Sequence, residues 1–307
     1  MISRRPQGTA EVQLPRTISV SAATTAMQCG WRHYLRYVLR EPEPSKGGAL
    51  ITGIVIDRLA KLVVASVQVG DLKVGDIDTA PMFDEVWQAE EEGCPVPIHW
   101  GKKGRDASRD TALGVFEAFC ALPDLEERIS TIVAADLRFE MPLRDPVYDV
   151  IVPGITVVGV LDFVQRQDDG RIRMLDVKTA ASRANWSGDL SQDLQAAIYQ
   201  VALRDQYGPD AVAPSAAWWI GLKLKKAEWI DREAEIPESS ERRAQLLLRH
   251  VVQAVAHGAA RHPQPNLFCG GCPWRDTRCR DWQDREESRV PVDIFAADTL
   301  EIAESQI

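Results

Sequence analysis

Two stretches of this chain, Val157-Val-Gly-Val-Leu-Asp162-Phe-Val164 and Arg171-Ile-Arg-Met-Leu-Asp176-Val-Lys178, are rich in β-formers and are separated by a turn containing Asp168-Asp169-Gly170. No other feature constrains the fold as much, because two such runs across a short glycine-containing turn read as a β-hairpin. Alternate residues of a strand share a face. Val158, Val160, Asp162 and Val164 are therefore expected on one side of the first strand, and Ile172, Met174, Asp176 and Lys178 on one side of the second. With Gly170 left-handed in a three-residue loop, Asp162 falls opposite Asp176, and directly opposed side chains have Cβ atoms about 5 Å apart. Two carboxylates at that spacing repel, and burying them is costly unless positive charge intervenes.

A divalent cation would supply that charge. Oxygen ligands suit Mg²⁺ or Mn²⁺, and a bound ion polarises a phosphate and lowers the pKa of its water. Lys178 would project beside the same point, to orient the water and stabilise developing negative charge. A plainer reading has Asp162 and Asp176 near strand ends, merely paired with Lys178. Asp-x-Lys alone does not separate the two.

The rest of the chain reads as helices and strands in alternation. Ser21 is expected to cap a helix over Ala22–Leu39, which ends before Glu41-Pro42-Glu43-Pro44, and residues 49–68 form a second helix with a long apolar face. Residues 69–134 read as a mostly helical insertion, with helical pieces near 82–92 and 107–121. Strands follow at 135–141 and, after an amphipathic helix at 189–206, at Ala216–Leu224; Ser239–His257 is a last long helix. The expectation is a mixed α/β core with a helical layer added. Residues 17–285 are expected to form one domain, between a polar leader at 1–16 and an acidic tail at 286–307.

With 45% hydrophobic and 26% charged residues, the 307-residue chain has the composition of an ordinary globular protein. No apolar run is long enough to span a bilayer, and a cytoplasmic location is expected. A formal charge of -9 argues against a general polyanion binder. It leaves room for an enzyme with one basic groove and carboxylates committed to metal.

Two helices offer further candidates. Gly53 and Asp57 stand at i, i+4 on the helix at 49–68, where Asp57 either joins the metal or faces solvent beside Arg58. Gln192, Gln195 and Tyr199 recur at helical spacing, positioned to bind DNA phosphates or to order the lysine, or else to decorate an amphipathic face. After Cys29 come Trp31, Arg32, His33, Tyr34, Arg36 and Tyr37, an aromatic and basic run suited to single-stranded nucleic acid. The alternative is that Trp31, Tyr34 and Leu35 are core and only the arginines are exposed. Lys102, Lys103 and Arg105 form a second basic loop.

Taken in order, these features resemble the RecB-like nucleases of the PD-(D/E)xK superfamily. The matching elements are Cys29 with its aromatic, basic run, Gly53 to Asp57, Gly159 to Asp162, Asp176 to Thr179, Gln195 to Tyr199, and the cysteines from Cys269. The resemblance covers residues 17–280 apart from the stretch near 69–134. It implies a restriction-endonuclease-like α/β core, Asp57, Asp162 and Asp176 as ligands of Mg²⁺ or Mn²⁺, Lys178 as the catalytic lysine, and Gln195, Tyr199, Arg32 and Arg36 on the substrate. One departure is that Asp57 stands where the family carries a metal-binding histidine.

Cys269, Cys272 and Cys279 fall within eleven residues, a metal-ligand spacing. In the iron–sulfur branch of the family, one N-terminal and three C-terminal cysteines bind a 4Fe–4S cluster. Cys29 would be the fourth ligand here, stapling the two ends of the domain together. Zn²⁺ is the competing occupant. Cys94 and Cys120 have no such partners in sequence. The function the resemblance implies is metal-dependent cleavage of DNA, exonucleolytic on single strands or ends, beside a recombinase or helicase. Trimming alongside a CRISPR-adaptation protein, and a non-catalytic DNA-binding scaffold, are the alternatives.

Overall fold

The computed structural model describes residues 16–258 and 263–279. The expected leader and acidic tail lie outside these residues, apart from Arg16. The chain opens with β1 (Thr17–Ser19), α1 (Val20–Gln28), α2 (Gly30–His33) and a π-helical turn at Tyr34–Val38. Next come β2 (Lys46–Gly47), α3 (Gly48–Gln68), α4 (Thr79–Glu92), β3 (Ile98–His99), α5 (Gly104–Cys120) and α6 (Leu125–Ser130). Three long strands follow, β4 (Ile132–Asp145), β5 (Val150–Arg166) and β6 (Ile172–Ala180), then α7 (Leu194–Tyr207), β7 (Val212–Leu222), β8 (Glu228–Glu235) and α8 (Glu238–Ala256). The expected mixed α/β core is present.

The main sheet has six strands. β4 lines one edge of β5; on the other edge β1 pairs parallel at Thr156–Val158 and β6 pairs antiparallel at Phe163–Arg166. β6 then pairs parallel with β7, through the α7 crossover, and β7 antiparallel with β8. Each face of the sheet has its own core. On one side α1, α7 and α8 cover Val157, Leu161, Met174, Trp218 and Ile220. On the other, α3 to α6 cover Phe163, Leu175, Val177 and Trp219. The helices between 79 and 130 thus share a core with α3 and the sheet.

The hairpin forms as its sequence predicts. Gly170 has φ +84°, Gln167 N–H donates to Arg171 O and Gly170 N–H to Gln167 O, so residues 168–170 make the three-residue loop. The first strand buries the expected face only at its end. Val164 is buried but Val160 is 39% exposed, while Ile155, Val157, Leu161 and Phe163 of the other face are buried. Leu161 packs on the α7 side and Phe163, two residues on, packs on the α3 side. The strand therefore turns over at Asp162. Its neighbour β4 turns with it, because Asp136, between the pairs Ala135–Phe163 and Leu137–Leu161, takes φ +50°, a conformation that costs a non-glycine residue energy.

The expected helix over 22–39 is divided. Cys29 is extended (φ -161°, ψ 111°), and the cap is Ser19, whose Oγ accepts from Ala22 N–H, rather than Ser21. The break is anchored from the far end of the chain: Gly30 N–H donates to Gln264 Oε1, and Asn266 Nδ2 donates to Gln28 O.

Candidate active site

The site lies at a fork in the sheet. The β5–β6 ladder ends at Phe163–Leu175, one step before Asp162 and Asp176, because β1 takes the edge of β5 beyond it. On the alternation of an antiparallel ladder, Val177 N–H would next pair with Leu161. It donates instead to Asp162 Oδ2 at 3.1 Å. A side-chain carboxylate thus satisfies the backbone donor that the fork exposes, and this fixes Asp162 against β6.

Asp176 is almost wholly buried, 1% exposed. Its Oδ2 lies 2.5 Å from Lys178 Nζ, and Gln195 Nε2 donates to its Oδ1 at 3.3 Å. Gln195 Nε2 also donates to Tyr199 Oη at 2.9 Å, and the Tyr199 ring packs edge-on against Phe139. Gln195 and Tyr199, one turn apart on α7, therefore back the buried acid. Gln192 does not join them; it lies just ahead of α7, where Arg243 binds it. Burial pushes the Asp176 carboxyl up to about 7; Lys178 opposes the shift and the neighbouring Asp162 adds to it. Burial also works against the Lys178 ammonium, but Asp176, together with Asp162 and Tyr199, holds the lysine above its ordinary value.

Gly159, three residues before Asp162, has a steric role. A Cβ there would stand 2.5 Å from the Phe139 ring and 3.4 Å from Tyr199. Gly53 on α3 is less constrained, with Thr179 Oγ1 3.8 Å from where its Cβ would be.

Asp57 is on the stripe of α3 that faces the fork, and beside it is a residue the sequence reading missed. Lys61 Nζ reaches Asp57 Oδ2 at 2.9 Å, Asp136 Oδ1 at 2.7 Å and Asp162 Oδ1 at 3.0 Å. Only the Asp57–Lys61 spacing of i, i+4 was legible as a pair; Asp136 comes from a strand far along the chain. Burial and the Asp162 charge hold the Asp57 carboxyl above its ordinary range, with Lys61 opposing. Burial also disfavours the Lys61 ammonium, but Asp162, Asp136 and Asp57 together keep it above its usual value.

Four carboxylates (57, 136, 162, 176) thus meet two ammonium groups (61, 178), an excess of two negative charges when all are ionised. The donors are all hard oxygens, and Asp57 Oδ1 is buried without a hydrogen-bond partner among the described residues. This set suits one divalent cation of the Mg²⁺ or Mn²⁺ kind. Among the described residues, no three His, Cys, Asp or Glu side chains are grouped to hold an ion as they stand; between the acids of the fork lie the two lysines.

The four expected cysteines lie away from the fork and border one cavity, without being grouped to hold an ion as they stand. Cys29, Cys269, Cys272 and Cys279 line a cavity of about 480 Å³ with Trp31, Arg32 and Trp274. Burial raises the Cys279 thiol, and the other three cysteines raise it further. Trp31 and Trp274 pack with Leu35 in a small core beside the thiols, so Trp31 is a core residue, with Tyr34 stacked on it. Arg32 borders the cavity and Arg36 pairs with Glu43 at 3.1 Å. In the second basic loop Arg105 is bound to Glu91 and Asp106, leaving Lys102 and Lys103 exposed. Lys223 N–H donates to Ala180 O at the end of β6, two residues past Lys178. Burial lowers its ammonium, and the nearby charge of Lys103 lowers it further.

The profile of the PD-(D/E)XK nuclease superfamily matches residues 17–280. The chain belongs to that superfamily. Among solved structures, a protein from Eubacterium rectale whose exonuclease assignment is provisional shares 13% identity at a TM-score of 0.48, over 98% of this chain and 99% of that one. The protein SSO0001 shares 13% identity at a TM-score of 0.39, over 86% and 85%. Likenesses this loose carry no argument of their own. A search of curated proteins returned no match.

Proposed function

We propose that this nuclease is a divalent-metal-dependent deoxyribonuclease, an exonuclease acting on single-stranded DNA or DNA ends in recombination or repair. The observation that carries the reading is the meeting of Asp162, Asp176 and Lys178 at the fork between β5 and β6. Asp162 and Asp176 would hold Mg²⁺ or Mn²⁺, with Asp57 contributing negative charge at the rim. When bound, the ion supplies a polarised phosphate oxygen and a water of lowered pKa. Lys178, already charged and partly shielded from solvent, stabilises negative charge as it develops on the phosphate. Gln195 keeps Asp176 aimed at the fork, and Tyr199 keeps Gln195 in place. The DNA backbone would pass the exposed Lys103 and the neighbouring Lys223 at the same end of the sheet as Lys178.

The four thiols are assigned to a structural cluster. Thiolates are soft ligands that suit either Zn²⁺ or an iron–sulfur cluster, and we read the set as 4Fe–4S on the family resemblance. Anaerobically purified protein should then be brown and carry iron, and a colourless protein carrying zinc would contradict the assignment.

The functional reading is tested with Asp176→Asn. The variant should still bind single-stranded DNA but cut it at no measurable rate with Mn²⁺ present. Cleavage at the wild-type rate would remove the fork from the chemistry.

A further inference from the structure

Lys61 has no part in the cleavage chemistry just described, yet it is the most fully engaged cation at the fork. An ammonium group has three N–H donors, and Lys61 has three carboxylate oxygens around it at 2.7, 2.9 and 3.0 Å. Its side chain is 15% exposed, so it is no solvated surface lysine. Three separate elements supply the acids: α3 gives Asp57, β4 gives Asp136 and β5 gives Asp162. Asp136 meets the lysine from a strained left-handed conformation, opposite Asp162 in the ladder.

Charge defines what such a group can do. Two-metal nucleases hold two divalent ions about 3.5–4 Å apart, bridged by shared carboxylates. Here Asp162 is the shared carboxylate: its Oδ1 faces Lys61, and its Oδ2 faces β6 and Asp176. Without Lys61 the fork would hold four carboxylates against Lys178 alone, three negative charges in excess. With it the excess is two, which one divalent ion balances.

Resting on the metal-dependent reading above, we infer that Lys61 is a resident cation in the place of a second divalent ion. The enzyme then works with one exchangeable metal, at Asp162 and Asp176, and Asp57 and Asp136 hold the lysine. Asp57 fits this role, because a carboxylate binds an ammonium one helical turn away and adds the charge that holds it.

The test is to count Mn²⁺ bound by the full chain, by the electron paramagnetic resonance of free Mn²⁺. Wild type should take up one ion, Lys61→Arg one and Lys61→Met two. In chelator, Lys61→Met should melt below wild type, with Mn²⁺ restoring the difference. Two ions on wild type, or one on a folded Lys61→Met, would overturn the inference while leaving metal dependence intact. No ion on wild type would refute the metal-dependent reading itself, and the inference with it. Asp136→Asn guards against a Lys61 variant that does not fold. Its Mn²⁺ affinity should stay within about threefold of wild type, and a loss beyond about tenfold would make Asp136 a metal ligand and overturn the inference.

Discussion

Gly159→Ala isolates the packing that holds the site. The added Cβ would stand 2.5 and 2.6 Å from two carbons of the Phe139 ring and 3.4 Å from Tyr199, whereas carbon atoms rest about 3.5–4.0 Å apart. Phe139 opposes Gly159 across the β4–β5 ladder and is 6% exposed, so its ring must retreat by about 1 Å into a closed core. Overpacking of this kind costs about 1–3 kcal/mol. The φ of Gly159 is not in the left-handed range, so alanine also restricts the unfolded chain and returns about 0.4–1 kcal/mol. The net loss should be about 1–2 kcal/mol, read as a lower urea midpoint at an unchanged m-value. Activity should fall as well, since the displaced Tyr199 supports Gln195 and through it Asp176. Phe139→Leu in the Gly159→Ala background should recover part of the stability. A single variant as stable as wild type, or a double variant that recovers nothing, would refute the reasoning.

Three further outcomes follow from other parts of the molecule. In chelator, stability should fall as pH rises from about 4 to about 7. Asp176 titrates near 7 in the folded chain against an ordinary 3.8, so the folded state holds the extra proton across that window. Melting temperatures of wild type and Asp176→Asn across pH would show the slope in the first and its loss in the second. Trp274→Ala empties a side chain that is 1% exposed and should cost about 3–5 kcal/mol at the thiol anchor, read as faster amide exchange over residues 30–35. Lys103→Ala and Lys223→Ala should each lower the slope of log K against log salt for single-stranded DNA by about 0.7.

Much of the site is local and therefore legible. Loop length and Gly170 fix the hairpin register, and the register brings Asp162 to Asp176. The helical spacing of Gln195 and Tyr199 is as easily read, and their hydrogen bond follows from it. What was not legible depends on tertiary context. Period two puts Val158 and Val160 on the face of Asp162, but β5 turns over at Asp162 while β4 turns at Asp136, and the buried face becomes the other one. Nothing local marks Asp136, and the i, i+4 spacing of Lys61 from Asp57 does not reveal that Lys61 meets Asp136, 75 residues on. The break at Cys29 is set by Gln264 and Asn266, more than 230 residues away. β8 was missed because Glu228-Trp-Ile-Asp-Arg-Glu-Ala-Glu235 is a charged edge strand, and edges are protected by such charge.

The most direct test of the central claim is cleavage of end-labelled single-stranded and duplex DNA across a titration of Mn²⁺ or Mg²⁺, comparing anaerobically purified wild type with Lys178→Ala. Degradation that requires the metal and is lost in the variant is the predicted result. Cleavage that persists in chelator, or that is undiminished in Lys178→Ala, would contradict the account.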